Sequence, residues 1–291
     1  MPARKGLRVT QDKTLTFQLQ PMPADTATDN RISAGWLLSE MDKASGRRAH
    51  EYIYAGDKTH QGRTVTAGID AMVFKKPLFV GDLVKIYTEV ARQGRSSVTI
   101  KTEVWADRRD SKAVEMVTEG LFTFVAIDAQ RKPVPILTNN TSQNPVLVPP
   151  GTARKAGVVI NQSMTPVGNP VLTLTPDRRN TNALGDIFGG WILSRMDDAA
   201  AGSAAQITGG HRVANVALDA MTFHRPVLVN DEVTFYTALS RLGKSSVAIN
   251  IEAWAKRSVS GLHEKVTEGL FTYVAVDNNL KPIPITTPPV P

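Results

Sequence analysis

The chain reads GDIFGGWILSRMDDAAA from Gly185 to Ala201. Apolar side chains recur at helical spacing through Ile187, Trp191 and Ala199, and further alanines follow. This pattern predicts a buried helix of about five turns, because alanine favours helices and the apolar positions share one face. A helix this apolar must be covered by other secondary-structure elements. We therefore expect the other elements to be arranged around it.

The start of this helix combines an acid with two glycines. Asp186 is predicted to be the N-cap, and Gly189 and Gly190 fall in the first turn, where backbone N–H groups lack intrahelical partners. Each glycine costs a helix about 1 kcal/mol relative to alanine, which indicates that an electron-rich oxygen approaches this backbone closely. Asp186 could activate water while the glycine N–H groups polarise a carbonyl, although an Asp here is also an ordinary structural cap.

Composition excludes several classes of protein and site. The 291 residues include no Cys, which excludes disulfides, thiolate metal sites and Cys nucleophiles. The chain has no apolar run long enough to span a membrane and no apolar segment at its N-terminus, so we expect a cytoplasmic protein without membrane insertion. The net charge of +7 is spread without a block of like charges, which argues against nucleic-acid binding but suits a small polyanionic ligand.

The chain contains an internal repeat. GWLLSEMD at residues 35–42 matches GWILSRMD at residues 190–197, an offset of 155. DAMVFKKP at residues 70–77 matches DAMTFHRP at residues 219–226 with an offset of 149, so the first copy has six extra residues between helix and strand. Two copies of one domain in tandem are therefore predicted.

Composition also places the domain boundaries. We predict an N-terminal tail over residues 1–13, a first domain over 14–136, a Pro-rich linker over 137–170 and a second domain over 171–291. Each copy predicts a short strand, the long helix and then several strands joined by short turns, which favours an antiparallel sheet. The first strand after the helix is predicted over residues 65–74 in the first copy and 213–223 in the second. The predicted fold is α+β, with a sheet wrapped around one central helix in each domain.

Several motifs, taken together, carry a resemblance to a known family. They are GDIFGGW at residues 185–191, MD at 196–197, VALDAMTFHRP at 216–226, GKSS at 243–246 and FTYVAVD at 271–277. In this order they resemble the hotdog-fold acyl-CoA thioesterases, and the tandem copies resemble the double-hotdog members of that family. The resemblance implies two hotdog domains paired within one chain, and further assembly into a homo-oligomer, as a trimer of such pairs.

The resemblance also implies a reaction, the hydrolysis of fatty acyl-CoA to a free fatty acid and CoA. It implies no metal and no cofactor, since CoA is part of the substrate. Asp186 would be the general base or nucleophile, and the N–H groups of Gly189 and Gly190 would form the oxyanion hole. A non-hydrolysing acyl-CoA-binding or regulatory protein is the alternative, and a hotdog dehydratase is disfavoured because no His lies near either helix start.

The first copy departs from the catalytic motif, since Arg31 stands where the second copy has Asp186. Arg cannot act as a base near neutral pH, so this loop is predicted to have lost its chemistry unless Asp29 substitutes. In double-hotdog relatives a helix acid of one domain assists the loop of the other, which implies that Asp42 works with Asp186 and that Arg31 faces Asp197. One working site per chain is predicted, with Asp42 alternatively a structural acid held by a neighbouring donor.

Two glycine-led turns are candidates for phosphate binding. Arg95 and Ser96 in the first copy, and Lys244 and Ser245 in the second, combine a basic side chain, hydroxyls and turn N–H groups. The resemblance implies contact with the nucleotide end of CoA, although the same residues also suit an ordinary hairpin turn. Neither a metal site nor an α/β-hydrolase is predicted, because the five His residues lack metal-binding spacing and no G-x-S-x-G segment occurs.

Overall fold

The computed structural model describes residues 13–27, 30–55, 62–136, 165–182 and 185–285. Within these ranges the first half consists of β1 (Thr14–Leu19), α1 (Ala34–Ile53), β2 (Arg63–Ile69), β3 (Met72–Val73), β4 (Leu83–Gln93), β5 (Ser97–Asp107) and β6 (Val114–Ile127). The second half consists of β7 (Asn169–Leu174), α2 (Gly189–Ile207), β8 (Arg212–Leu218), β9 (Met221–Phe223), β10 (Glu232–Leu242), β11 (Ser246–Lys256) and β12 (His263–Val276). No helix in the described part of the chain has the length and apolar character needed to cross a bilayer.

Each sheet packs one face against the helix of its own half. Along β4, Val84 and Ile86 are fully buried while Lys85 between them is partly exposed, the alternation expected when one face of a sheet is covered. The helices bury the matching side chains, with Met41 of α1 and Met196 of α2 fully enclosed. The predicted sheet-around-helix fold is therefore confirmed in both halves.

The two sheets join edge to edge into one 12-stranded sheet. The strand order is β1-β4-β5-β6-β2-β9-β12-β11-β10-β7, and β3 and β8 pair with each other beside this path. The junction is the antiparallel pairing of β2 with β9, in which Gly68 lies opposite Thr222 and Ile69 opposite Met221. The two halves thus form the paired arrangement that the tandem repeat predicts.

The two helices touch near their N-terminal ends. A Cβ atom on Gly190 would lie 2.9 Å from the Cα of Ser39 on α1, and one on Gly35 would lie 2.9 Å from the Cα of Ser194 on α2. Backbone atoms in a packed interior cannot give way at such distances, so only glycine fits at both positions. The predicted close approach to this backbone is real, but part of it is made by the neighbouring helix.

Two element boundaries differ from the sequence prediction. One strand was expected over residues 213–223, whereas the structure divides this segment into β8 and β9. Pairing explains the break, because β8 pairs with β12 and β3 while β9 pairs with β12 and β2. In addition, β7 begins at Asn169, inside the predicted linker. Residues 1–12 of the predicted tail and 137–164 of the predicted linker lie outside the described residues.

Candidate active site

A cavity of about 850 Å³ lies where the start of α2 meets the first half of the chain. Its walls come from α1, β2, β6 and the turn after β6 in the first half, and from residues 181–182, 186–189, 192 and 223–227 of the second. Asp42, Asp186 and Gly189 all line it. The structure therefore brings together the loop of one domain and the helix acid of the other, as predicted.

Asp42 is buried between the two helices and accepts two hydrogen bonds. The N–H of Gly190 donates to Oδ2 at 2.8 Å, and the hydroxyl of Thr66 donates to Oδ1 at 2.9 Å. Only 4% of Asp42 is exposed to solvent. Because the N-cap residue Phe188 offers no side-chain hydrogen bond, Asp42 supplies the cap of α2 from the other half of the chain.

The surroundings of Asp42 make its carboxyl a weaker acid than that of an ordinary Asp. Burial raises the pKa of Asp42 to about 6, while the hydrogen bonds from Thr66 and Gly190 and the charge of Lys43 act in the opposite direction. A carboxyl with this pKa is mostly ionised at neutral pH and still basic enough to accept a proton. Such a shift in a cavity wall is typical of a catalytic acid or base.

Asp186 occupies a different position from the one predicted. The N-cap of α2 is Phe188, so the prediction that Asp186 caps the helix is wrong. Its carboxylate instead forms an ion pair with Arg131, and Arg63 lies 3.9 Å from its other oxygen. Only 7% of Asp186 is exposed, and its Oδ2 is buried without a hydrogen bond from the described residues. Two guanidinium groups thus hold this acid at the cavity wall.

The two glycines at the start of α2 have different surroundings. The N–H of Gly190 is already bonded to Asp42, so in this structure it is not free to bind a substrate oxygen, contrary to the prediction. For the N–H of Gly189, no hydrogen bond to another described residue is found. A Cβ on Gly189 would meet the hydroxyl of Thr66 at 3.0 Å and Oδ2 of Asp42 at 3.3 Å. Gly189 therefore lies beside the carboxylate and leaves room that any side chain would fill.

The internal repeat gives the second half an equivalent of the Asp42 site, here called the mirror position. It is built around Asp197. Its Oδ2 accepts a hydrogen bond from the N–H of Gly35 at 2.7 Å, and its Oδ1 accepts bonds from Asn215 and from the hydroxyl of Tyr273, each at 2.8 Å. Burial raises the pKa of Asp197 above its ordinary value. The guanidinium of Arg31 donates to the carbonyl of Val213 at 3.0 Å. Asp29, the predicted substitute acid, lies outside the described residues.

Comparison with known proteins identifies the family. The family model of the thioesterase superfamily matches residues 30–113 and 184–261, one segment in each half. The chain belongs to the thioesterase superfamily. The acyl-CoA thioester hydrolase YciA of Salmonella typhimurium is 47% identical over 124 residues, which are 42% of this chain and 92% of that protein. The protein of the same name from Escherichia coli is 48% identical over 120 residues, 40% of this chain and 90% of that protein.

A solved structure resembles this thioesterase over nearly its whole length. The putative oleoyl thioesterase of Lactobacillus plantarum superposes with a TM-score of 0.63 and covers 92% of this chain and 97% of its own. Its sequence is only 10% identical, so the likeness shows the fold alone. Together with the two family segments, it confirms the predicted tandem hotdog fold.

The predicted CoA-binding turns of this thioesterase lie at two β-hairpins. Arg95 and Ser96 join β4 to β5, and Lys244 and Ser245 join β10 to β11. The backbone carbonyls of all four accept hydrogen bonds, from Ile136, Ala126, Ile285 and Ala275 respectively. None of the four is among the residues that line the cavity. Their contact with CoA stays a prediction.

Sequence reasoning missed the basic side chains around the cavity. The cationic residues that line it are Lys43, Arg47, Arg131 and Arg225. One signal was available in the repeat, because Arg131 corresponds to Leu280 at the offset of 149 that holds for the later strands. That difference gains meaning only from the ion pair between Arg131 and Asp186.

Proposed function

We propose that this chain hydrolyses fatty acyl-CoA to a free fatty acid and CoA at the cavity between its two halves. The observation that carries the proposal is the composite corner formed by the Asp42 carboxylate and the start of α2. The close sequence relatives that are named acyl-CoA thioester hydrolases support it. No metal or resident cofactor is needed for this reaction, because water is the only other reactant.

Asp42 is the proposed general base. Its carboxylate removes a proton from a water molecule, whose oxygen attacks the thioester carbonyl carbon, and the negative charge on the carbonyl oxygen is stabilised by the N–H of Gly189. When the tetrahedral intermediate collapses, the C–S bond breaks and Asp42 returns the proton to the leaving thiolate. This return is downhill, because a thiol has an ordinary pKa of about 8.5, above the value of about 6 for Asp42.

Asp186, the base favoured by the sequence, is the second candidate. The guanidinium of Arg131 occupies one of its oxygens, and Arg63 lies beside the other, so neither oxygen is as open to water as an unpaired carboxylate. Asp42 has no such counterion among its hydrogen-bond partners. We therefore assign proton transfer to Asp42 and a supporting role to Asp186.

The proposal assigns one working site to each chain. The mirror corner around Asp197 has Arg31 in place of the loop acid, and a third donor, Tyr273, on its carboxylate. At the working site, apolar side chains of Phe124, Val125 and Ile192 line the cavity and suit an acyl chain. We further propose action in the cytoplasm, from the composition of the chain, and assembly as a trimer of double hotdogs, from the family resemblance.

Release of CoA from a panel of acyl-CoAs, from acetyl to palmitoyl, tests this proposal directly. We expect the wild-type protein to release CoA from at least one member well above the uncatalysed rate, measured with a thiol reagent. The protein itself gives no background signal in this assay, because the chain has no Cys to react with that reagent. Saturable binding of acyl-CoA without release of CoA would contradict the proposal and favour a binding protein.

A further inference from the structure

The two halves of the chain differ in charge at one corner of the cavity. In the first half, a tight turn after β6 carries Arg131, and in the second half the equivalent turn carries Leu280. Both residues have positive φ, 63° and 62°, so the turns share one backbone conformation. The loop that faces this corner differs as well, with Asp186 at the working site and Arg31 at its mirror. The acid and its arginine therefore occur together or are both absent.

The corner at the working site carries surplus positive charge. Asp186 is one carboxylate between two guanidinium groups, since it pairs with Arg131 while Arg63 stands 3.9 Å away, beyond hydrogen-bond distance. The side chains of Arg131 and Arg63 are 34% and 31% exposed, whereas that of Asp186 is only 9% exposed. Both cations therefore reach solvent, Arg131 in the cavity wall and Arg63 next to the lining residue Thr64, while the acid between them is covered.

An arginine pair of this kind suits an anionic group. The planar guanidinium binds phosphate or carboxylate through two parallel N–H donors, and fixing it beforehand lowers the entropy lost on binding. Of the other charged groups in the cavity wall, Lys43 pairs with Glu40, and Arg47 pairs with Glu51. Arg225, also in the wall, lies 3.7 Å from Glu264, so the surplus charge lies mainly at the corner of Arg131 and Arg63.

We infer that Arg131 and Arg63, oriented by Asp186, form an anion-binding subsite of the working cavity. This inference rests on the proposed thioesterase function and names the part of the substrate that the corner binds. The anion is either a phosphate of the CoA portion or a carboxylate at the far end of the acyl chain. Asp186 is then a positioning residue, which acts on the substrate through Arg131.

The variant Arg131→Leu tests the inference, because it introduces the residue type that the second half of the chain has at the equivalent position. Leu280 occupies the equivalent turn with the same φ, so this variant is expected to fold. We expect KM for the best acyl-CoA to rise about ten- to hundredfold while kcat changes little, because binding is lost equally from the ground and transition states. The KM for the matching acyl-pantetheine, which lacks the nucleotide and its phosphates, is expected to stay unchanged.

Two controls separate this result from other causes. Arg212→Leu removes the same charge at the mirror position of Arg63, and KM should not change. Asp186→Asn should raise KM for acyl-CoA and preserve kcat, whereas loss of a catalytic base would lower kcat. If Arg131→Leu instead raises KM only for thioesters with a terminal carboxylate, whether of CoA or of pantetheine, the anion belongs to the acyl chain.

The inference is overturned if the wild type hydrolyses acyl-CoA and Arg131→Leu changes KM neither for acyl-CoA nor for thioesters with a terminal carboxylate. It is also overturned if Arg131→Leu raises KM equally for acyl-CoA and for the matching acyl-pantetheine when neither has a terminal carboxylate. It is likewise overturned if Arg212→Leu has the same effect as Arg131→Leu. Failure of the proposed function looks different, because the wild type itself would then release no CoA from any substrate.

Discussion

Replacement of Asp42 by Asn is expected to lower kcat for acyl-CoA hydrolysis about 10²- to 10⁴-fold, the range for loss of a general base. Asn has the same shape and can still accept a hydrogen bond from Gly190, but it cannot take a proton from water. The measurement is steady-state release of CoA at saturating substrate, at the same protein concentration as the wild type.

The mirror variant, Asp197→Asn, is the matched control for this prediction. It changes the same residue type in the same helical position, with the same kind of bond from a glycine N–H, here that of Gly35. We expect it to keep most of the wild-type kcat, once thermal unfolding shows that it is folded. If Asp42→Asn retains activity while Asp186→Asn loses it, the base is Asp186 and our assignment is wrong.

Replacement of Gly190 by Ala is expected both to lower the free energy of unfolding and to lower kcat. The added Cβ would lie 2.9 Å from both the Cα and the hydroxyl oxygen of Ser39, so the helices must move apart. Overpacking of this kind costs about 1–3 kcal/mol or more of unfolding free energy, and it also displaces the N–H that holds Asp42. Thermal unfolding and kcat are the two measurements.

Gly202→Ala is the matched control on the same helix. Apart from its chain neighbours and the backbone of α2 itself, no atom of the described residues lies within 4 Å of the position that its Cβ would take. We expect this variant to gain about 0.5–1 kcal/mol, because alanine is a better helix former than glycine. Equal stability changes in the two variants would show that helix propensity, and not the contact with Ser39, decides the effect at Gly190.

Much of the fold could be predicted from the sequence because its helices and strands follow from local residue patterns, and because these patterns occur in both halves of the chain. The alternation of Val84, Lys85 and Ile86 predicts a strand with one covered face, and the repeat predicts that the second half shares its fold. The helix from Gly189 to Ile207 was likewise predicted with nearly its observed length. These features depend on neighbours in the chain, which sequence patterns describe well.

The site could be predicted only in part, since its contacts join distant residues. Asp42 and Gly190 are 148 positions apart. No sequence pattern near either residue indicates that the carboxylate of Asp42 caps the helix that contains Gly190. The sequence therefore assigned the cap to Asp186, which is close in the chain but turns to Arg131 instead. The family resemblance named Asp42 as a partner, and the structure supplies the reason for its basicity, which is burial.

The dependence of kcat/KM on pH tests most directly the claim that the ionised Asp42 is the base, because this quantity reports the pKa values of the free enzyme. Below its pKa the carboxyl is protonated and cannot accept a proton from water. We therefore predict that kcat/KM falls as pH is lowered through a midpoint of about 6, by tenfold per unit below it. Activity that stays constant down to about pH 4.5, with the protein still folded, would assign the reaction to a carboxylate of ordinary pKa and contradict the account.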